Sequence, residues 1–249
     1  MNYLLLEEVD STNSYASVHA GEFAGDTMIV AAAQTAGRGQ RGNSWESEPG
    51  KNLTFTLFHR PEGVLPAEQF AISEATALGI SDMLAGYGIE ARVKWPNDIY
   101  IGDRKVCGIL IEHSVTPARI EHSRIGAGVN VNQTQFLSDA PNPVSMIQAL
   151  GRDTELDLQR VAVATAAHLE RRLLMASTAA GRARLHSDFM ARLWRGDSAE
   201  YPFRRRGEKT VYQGIIRDVD PTGPITIEDT ATGRRERFMF KEVEFILYV

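Results

Sequence analysis

The sequence predicts an α+β fold, with a mixed sheet-and-helix body over residues 1–197 and a small all-β module over residues 198–249. Three observations predict it. Short runs with period-two alternation gather in the first half of the chain, long stretches at helical spacing lie among and after them, and from about Tyr201 only short strands around turns remain. At 249 residues and 43% hydrophobic, the chain is long enough for one substantial core and a small second unit.

In chain order, a first strand leads into Ser11, Thr12 and Asn13, a polar triplet that taken alone reads as a helix N-cap over 13–17. Residues 27–31 and 53–58 read as strands flanking a glycine-rich loop. Residues 66–87 read as a helix with Ile72, Ala75, Gly79 and Met83 on one face, Pro66 at its start and Gly86 and Gly88 near its end. Residues 91–95, 98–101 and 105–112 look like strands, the last two joined through Gly102 and Asp103 as a hairpin. A further strand over 123–131 passes through Gly126 and Gly128. Leu158, Val161, Thr165, Leu169 and Leu173 then recur at helical spacing, and 182–194 continues in the same manner. The β-rich tail comprises 211–217, a turn at 220–223, 225–228 and 237–240, with the boundary near 196–202.

A net charge of −5 argues against non-specific nucleic-acid binding, which depends on many basic residues. The runs at 204–206 and 234–235 are short and read as solvated faces. A single cysteine, Cys107, leaves no internal disulfide framework and fits a reducing compartment. No run approaches the length of a membrane span and no basic leader opens the chain, so the expectation is a cytoplasmic protein.

The loop carrying Gly37, Arg38, Gly39, Gln40, Arg41, Gly42 and Trp45 reads as anion-binding, because glycines bring backbone N–H groups close to an anion and guanidiniums fork onto carboxylate or phosphate. Its glycines satisfy the G-x-G-x-x-G pattern, yet a strand rather than a helix follows, which excludes a dinucleotide fold. Lys94, Trp95, Pro96, Asn97 and Asp98 gather a cation, an aromatic, an amide and a carboxylate at a turn. Lys105 opens an otherwise apolar strand that includes Cys107 and Gly108, and its ammonium needs a partner or a path to solvent. Gly126 and Gly128 precede Asn130 in a strand they weaken unless another group approaches closely. There is no G-x-S-x-G elbow, no H-E-x-x-H, no Cys/His cluster at zinc spacing, and the six histidines are scattered. Such a chain suggests catalysis by orientation and charge neutralisation.

These segments, in this order, resemble the biotin–protein ligases: Ser11 to Asn13, Gln34 to Gly42 with Trp45, Lys94 to Asp98, Arg104 and Lys105 to Leu110, and Gly126 to Asn130. The resemblance runs through more than half of the chain. It implies a catalytic domain related to class II aminoacyl-tRNA synthetases followed by an SH3-like barrel. It further implies that biotin and ATP give biotinyl-AMP and pyrophosphate, and that a lysine of a biotin carboxyl carrier protein then takes the biotinyl group. Lys105, Arg38 and Asp98 are the implied catalytic residues. Biotin would meet Ser11, Thr12, Asn13, Gln34, Gly37, Arg38, Gly39, Gln40, Trp45, Lys105 and Gly108; ATP would meet Arg38, Arg41, Lys94, Asn97, Lys105 and Asn130. Mg²⁺ would come with ATP, with no protein metal cage.

The chain departs from that pattern in places. Gln40 stands where some members carry arginine, removing a charge from the loop. No tryptophan closely follows Asn132, so nothing is assigned to stack on adenine. Only one strand precedes Ser11, which gives the expectation of no winged-helix domain and no DNA binding. A homodimer through the ligand loop or the sheet edge is a candidate assembly. A lipoate–protein ligase or octanoyltransferase, or a non-catalytic biotin sensor, remains the alternative.

Overall fold

The computed structural model describes residues 1–138 and 142–247, with the backbone alone at Arg41. Seven strands, β1 (Asn2–Val9), β2 (Thr27–Gln34), β3 (Leu53–His59), β4 (Arg92–Lys94), β5 (Asp98–Ile101), β6 (Arg104–Val115) and β7 (Ile120–Val129), form one sheet. Their order is β1-β2-β3-β7-β6-β5-β4. β1 and β2 run parallel, linked across helix α1 (Thr12–Val18), and the remaining pairs are antiparallel. The expected hairpin at Gly102 joins β5 to β6.

β3 shows how the alternation was spent. Leu53, Phe55 and Leu57 join the main core, while Phe58 packs with Ala16 and Ile29 under α1 and Thr56 bonds to α1 side chains. The strand is therefore buried on both faces, one of them polar.

Three helices, α2 (Phe70–Gly86), then α4 (Leu158–Ala176) and α5 (Ala179–Ala191) after the short α3 (Met146–Leu150), bury the other side of the core. α2 buries the face of Ile72, Ala75, Gly79 and Met83 and more besides: residues from Phe70 to Leu84 are buried almost all round, Glu74 and Asp82 included. The polar residues are tolerated because they are paired. Asp82 accepts hydrogen bonds from Arg172 (2.7 Å), Arg192 (2.6 Å) and Arg171 (3.0 Å), tying α2 to α4 and to the chain just after α5. Glu74, 2% exposed, meets His186 Nδ1 at 2.7 Å. Burial raises the Glu74 carboxyl to about 7, the His186 contact opposing that rise.

A pH dependence follows from Glu74. Its folded value lies above its ordinary 4.5, so the folded protein holds that proton more tightly, and stability is lost as pH rises from about 4.5 to about 7. The full shift corresponds to about 3 kcal/mol. Glu74→Gln should abolish this loss, and thermal melts between pH 5 and 8 should show the wild-type Tm falling relative to the variant. Parallel curves would count against the assignment.

The chain ends in a second sheet of β8 (Tyr201–Arg205), β9 (Val211–Val219), β10 (Ile225–Asp229), β11 (Arg235–Phe238) and β12 (Val243–Phe245), antiparallel throughout in the order β11-β10-β9-β8-β12. α3 and β12 escaped the sequence reading because five and three residues are too short to show a period. An aromatic seam joins the sheets: Trp95 donates Nε1–H to the Gly223 carbonyl (2.8 Å) and packs on Phe240 and Phe245. Cys107 is buried in the main core, where burial pushes its thiol up, matching its reading as a small hydrophobe. Among the described residues no helix is long and apolar enough to cross a membrane.

Candidate active site

A cavity of about 850 Å³ opens over the glycine-bearing strands β6 and β7. Along β7 and just past its end, Gly126, Gly128 and Asn130 recur every second residue, so they line one face and mark a floor about 13 Å long. The three positions divide the cavity into a neutral end, a cationic middle and a far end.

The neutral end is built from α1, β2 and β3. Ser11, Thr12 and Asn13 are all buried there. The Gln34 side-chain oxygen Oε1 accepts from the Thr12 backbone N–H (2.8 Å), and the Thr56 hydroxyl lies between Thr12 Oγ1 (2.8 Å) and Asn13 Oδ1. Asn13 Nδ2 donates to the Leu110 carbonyl (3.3 Å) and to Glu112 (3.2 Å). Ser11 occupies the N-cap position with extended backbone, yet its side chain makes no capping bond. The capping reading is thus corrected: the hydroxyl is not spent on the helix but lines the cavity. Gly126 is required here, since a Cβ on it would stand 2.4 Å from Asn13 Oδ1.

The glycine loop is a tight hairpin rather than an open cradle. Gly39 N–H donates to the Asn43 carbonyl (2.7 Å), Trp45 N–H to Gly37 (2.9 Å), and Asn43 N–H to Gln40 (3.3 Å), so these amides are spent within the loop. Gly37 serves the close approach of its two arms, as a Cβ there would lie 2.6 Å from the Trp45 carbonyl oxygen, and it does not line the cavity. Arg38, Gly39 and Gln40 do line it. Arg38 reaches not towards Lys105 but across to Glu112, at 3.0 and 3.3 Å. The side chain of Arg41 lies outside the described residues. The Trp45 ring lies on the glycine floor, where a Cβ on Gly128 would come 2.2 Å from Trp45 Nε1 and one on Gly108 2.9 Å from Cζ3. Side chains, rather than a backbone or a ligand alone, account for the strand glycines.

In the middle stands Lys105. Its ammonium is 2.7 Å from Asp98 Oδ1 and 5.5 Å above the Trp45 ring. Its backbone is fixed by the chain beyond β7: Lys105 N–H donates to the Asn142 carbonyl (2.8 Å) and Val144 N–H to the Lys105 carbonyl (3.0 Å). Lys94 lies behind Asp98, its Nζ 3.8 Å from Oδ2 and 5.3 Å from the Tyr100 and Phe245 rings. Burial, reinforced by Lys105 and Arg195 and opposed by Asp98, lowers its pKa. Lys94 does not line the cavity, so its expected nucleotide contact gives way to a supporting place beneath Asp98. Asn97 does line it, with Nδ2 committed to the Ile109 carbonyl (2.6 Å).

At the far end, Asn130 donates Nδ2–H to the Val144 carbonyl (3.2 Å), leaving a buried Oδ1 with no hydrogen-bond partner. Trp45 Nε1 is likewise buried and unpartnered. An acceptor and a donor left unpaired inside one cavity are open to a polar ligand. Glu46, Leu137 and Ser138 complete this wall, and Lys241, Val243 and Phe245 bring the second sheet to it. Sequence reading named none of these, nor Thr56 or Glu112; the alternation of threonines along 53–58 was the one available signal, and the rest depends on strand order.

Comparison with known proteins agrees with this layout. The model of the biotin/lipoate A/B protein ligase family matches residues 5–130. The bifunctional ligase/repressor BirA of Salmonella typhimurium is 37% identical over 142 residues, which cover 57% of this chain and 44% of that protein. The biotin–[acetyl-CoA-carboxylase] ligase of Paracoccus denitrificans is 38% identical over 129 residues, covering 51% and 53%. The chain thus spans about half the length of these relatives. Among solved structures, the biotin protein ligase from Aquifex aeolicus in complex with biotin and ATP superposes with a TM-score of 0.76 at 22% identity, covering 98% of this chain and 97% of that one, a likeness of fold. By the extent of the family match, which takes in the neutral end, the glycine loop, Lys105 and Asn130, the chain belongs to the biotin/lipoate A/B protein ligase family.

Proposed function

We propose that the protein is an ATP-dependent biotin–protein ligase, which forms biotinyl-AMP and passes biotin to a lysine of a biotin carboxyl carrier protein. In this reading residues 1–197 are the catalytic unit and residues 198–249 a small β-unit that closes its far end. One observation carries it: a single elongated cavity joins a neutral hydrogen-bonding end to Lys105, with Asn130 beyond. That sequence of environments fits a ureido ring, then a carboxylate, then a nucleotide. The amides and hydroxyls of Ser11, Thr12, Asn13 and Gln34 suit the ring's N–H and C=O groups and would be wasted on an alkyl chain, which favours biotin over lipoate or octanoate.

In the first step a biotin carboxylate oxygen bonds to the α-phosphorus while the bond to the bridging oxygen of pyrophosphate breaks. Both reactants are anions, and their repulsion is large in a cavity that excludes water. Lys105 offsets it from a position set by Asp98 and by the 142–144 backbone. Arg38 must exchange Glu112 for the ligand if it is to add its charge. In the second step a neutral lysine amine of the carrier attacks the acyl carbon, AMP departs with the bonding electrons, and the amine proton is lost. Asp98 is the carboxylate nearest Lys105 and the candidate for orienting that amine. Mg²⁺ would come with the nucleotide and neutralise phosphate charge, and Asp98 and the unpartnered Asn130 Oδ1 are oxygens of the cavity wall that could face it.

The test is ATP–pyrophosphate exchange with biotin, lipoate or octanoate, followed by addition of a biotin-acceptor domain. Exchange with biotin alone and labelling of the acceptor are expected; exchange with the fatty acids alone, or none, would overturn the reading.

A further inference from the structure

The far wall of the cavity contains a carboxylate, Glu46, that forms no ion pair among the described residues. Glu46 follows directly on Trp45, and while the tryptophan lies on the glycine floor, the glutamate reaches the opposite way, to the segment 133–138. Its Oε1 accepts from the Leu137 backbone N–H (2.8 Å) and from Gln133 Nε2 (3.1 Å), and its Oε2 from the Ser138 backbone N–H (2.8 Å). Gln133, 2% exposed, in turn accepts at Oε1 from the Glu48 N–H (3.0 Å) and Asn52 Nδ2 (2.6 Å). The arm of the glycine loop and the segment after β7 are thereby one hydrogen-bonded body, although about ninety residues part them in sequence. Burial works against the charge of Glu46, yet bonds from Ser138 and Leu137 hold its carboxyl below the usual range.

We infer that Glu46 is a positioning residue, which ties residues 137 and 138 to the glycine loop so that the two sides of the nucleotide end are held at a fixed separation. The inference rests on the biotin ligase reading for what fills the cavity, and on these bonds alone for the tie. Leu137 and Ser138 line the cavity, and Leu137 is 91% exposed, so packing of its side chain does little to hold it there. Its place is set through its backbone. A carboxylate fits the task because two successive N–H groups need two acceptors, and hydrogen bonds to a charged acceptor are about twice as strong as neutral ones. The neutral end lies at the other extreme of a floor about 13 Å long, so the tie acts on one substrate and not on the other.

Glu46→Ala is therefore expected to raise the KM for ATP by about tenfold or more while leaving the KM for biotin within about twofold, because the lost bonds hold only the nucleotide end. Glu46→Gln keeps one acceptor oxygen and should recover part of the loss. In the ligand-free protein, hydrogen exchange at the Leu137 and Ser138 amides should quicken at least tenfold in Glu46→Ala, with the exchange of β3 and β7 unchanged. Unaltered exchange at these two amides would overturn the tie. Equal increases in both KM values, or none, would overturn its role. Absence of biotin-dependent ATP–pyrophosphate exchange in the wild-type protein would instead sink the ligase reading and with it the role, while the amide measurement would still decide the tie.

Discussion

Lys105→Ala is expected to slow formation of the acyl-adenylate by roughly 10²–10³-fold, the loss found when a preorganised group that stabilises transition-state charge is removed. The basis is positional. The ammonium stands at the midpoint of the cavity floor, 2.7 Å from Asp98 and over the Trp45 ring, with its backbone gripped by residues 142 and 144. Little of this arrangement holds the fold together, since the side chain remains 24% exposed. The variant should therefore melt close to the wild type, and a single-turnover measurement of pyrophosphate release with biotin and ATP should carry nearly the whole effect. Lys105→Arg keeps the charge but not the compact ammonium that fits between Asp98 and the indole, so it should fall between the two. A rate within threefold of wild type for Lys105→Ala would remove Lys105 from the mechanism.

Asp82→Ala carries the largest expected effect on stability, about 3–5 kcal/mol. Asp82 is the shared counter-ion of Arg171, Arg172 and Arg192, and Arg172 is itself only 8% exposed. Deleting the carboxylate leaves Arg172 with Asp188 alone and strands Arg192 at the junction of α2 and α5. Denaturant unfolding should show the midpoint displaced at unchanged slope, with a Tm lower by about 6–20 °C. A loss below about 1 kcal/mol would mean that water replaces the carboxylate at no great cost. The pH window is opposite to that of Glu74. Burial pushes the Asp82 carboxyl up, but the bonds from Arg172 and Arg192 prevail and hold it at about 2. Its contribution is fully present above its ordinary 3.8 and is lost only as pH falls towards about 2. Mild acid thus relieves the cost of holding a buried charge at Glu74 and leaves the Asp82 cluster intact.

The contrast between these two residues shows where sequence reading stops. The strands and the 98–112 hairpin were legible because alternation and turn glycines are local signals, and the long helices because their periods repeat several times. The burial of α2 beyond the face of Ile72, Ala75, Gly79 and Met83 was not legible for a physical reason: Glu74 and Asp82 count as polar in any periodicity, and only their partners on α4 and α5 and near them make their burial tolerable. At the site, Lys105 and the strand glycines stood out because an ammonium on an apolar strand and glycines inside a strand are out of place for folding alone, whereas Ser11, Thr12 and Asn13 taken alone read as a helix cap. Ser11 was ambiguous between a cap and a site until its side chain was seen to make no capping bond. Arg38 was legible as a cation but not its attachment to Glu112, and Glu46 not at all, since each depends on which strands become neighbours.

That order of strands has a consequence for the way a ligand is felt by the whole molecule. β3 pairs with β7 residue by residue from Leu53 with Val129 to His59 with Ser123, enclosing the entire α2 to β6 segment between the two partners. The neutral end takes Thr56 from one and Gly126 from the other, so its walls meet only when these two strands pair. Loop closure of that length is slow and its reward comes late in folding. A ligand of this cavity binds only the completed sheet, and each tenfold excess of ligand over its dissociation constant then adds about 1.4 kcal/mol against global unfolding. Occupancy of the cavity and integrity of the central sheet are for this chain one thermodynamic quantity, read equally well from either side.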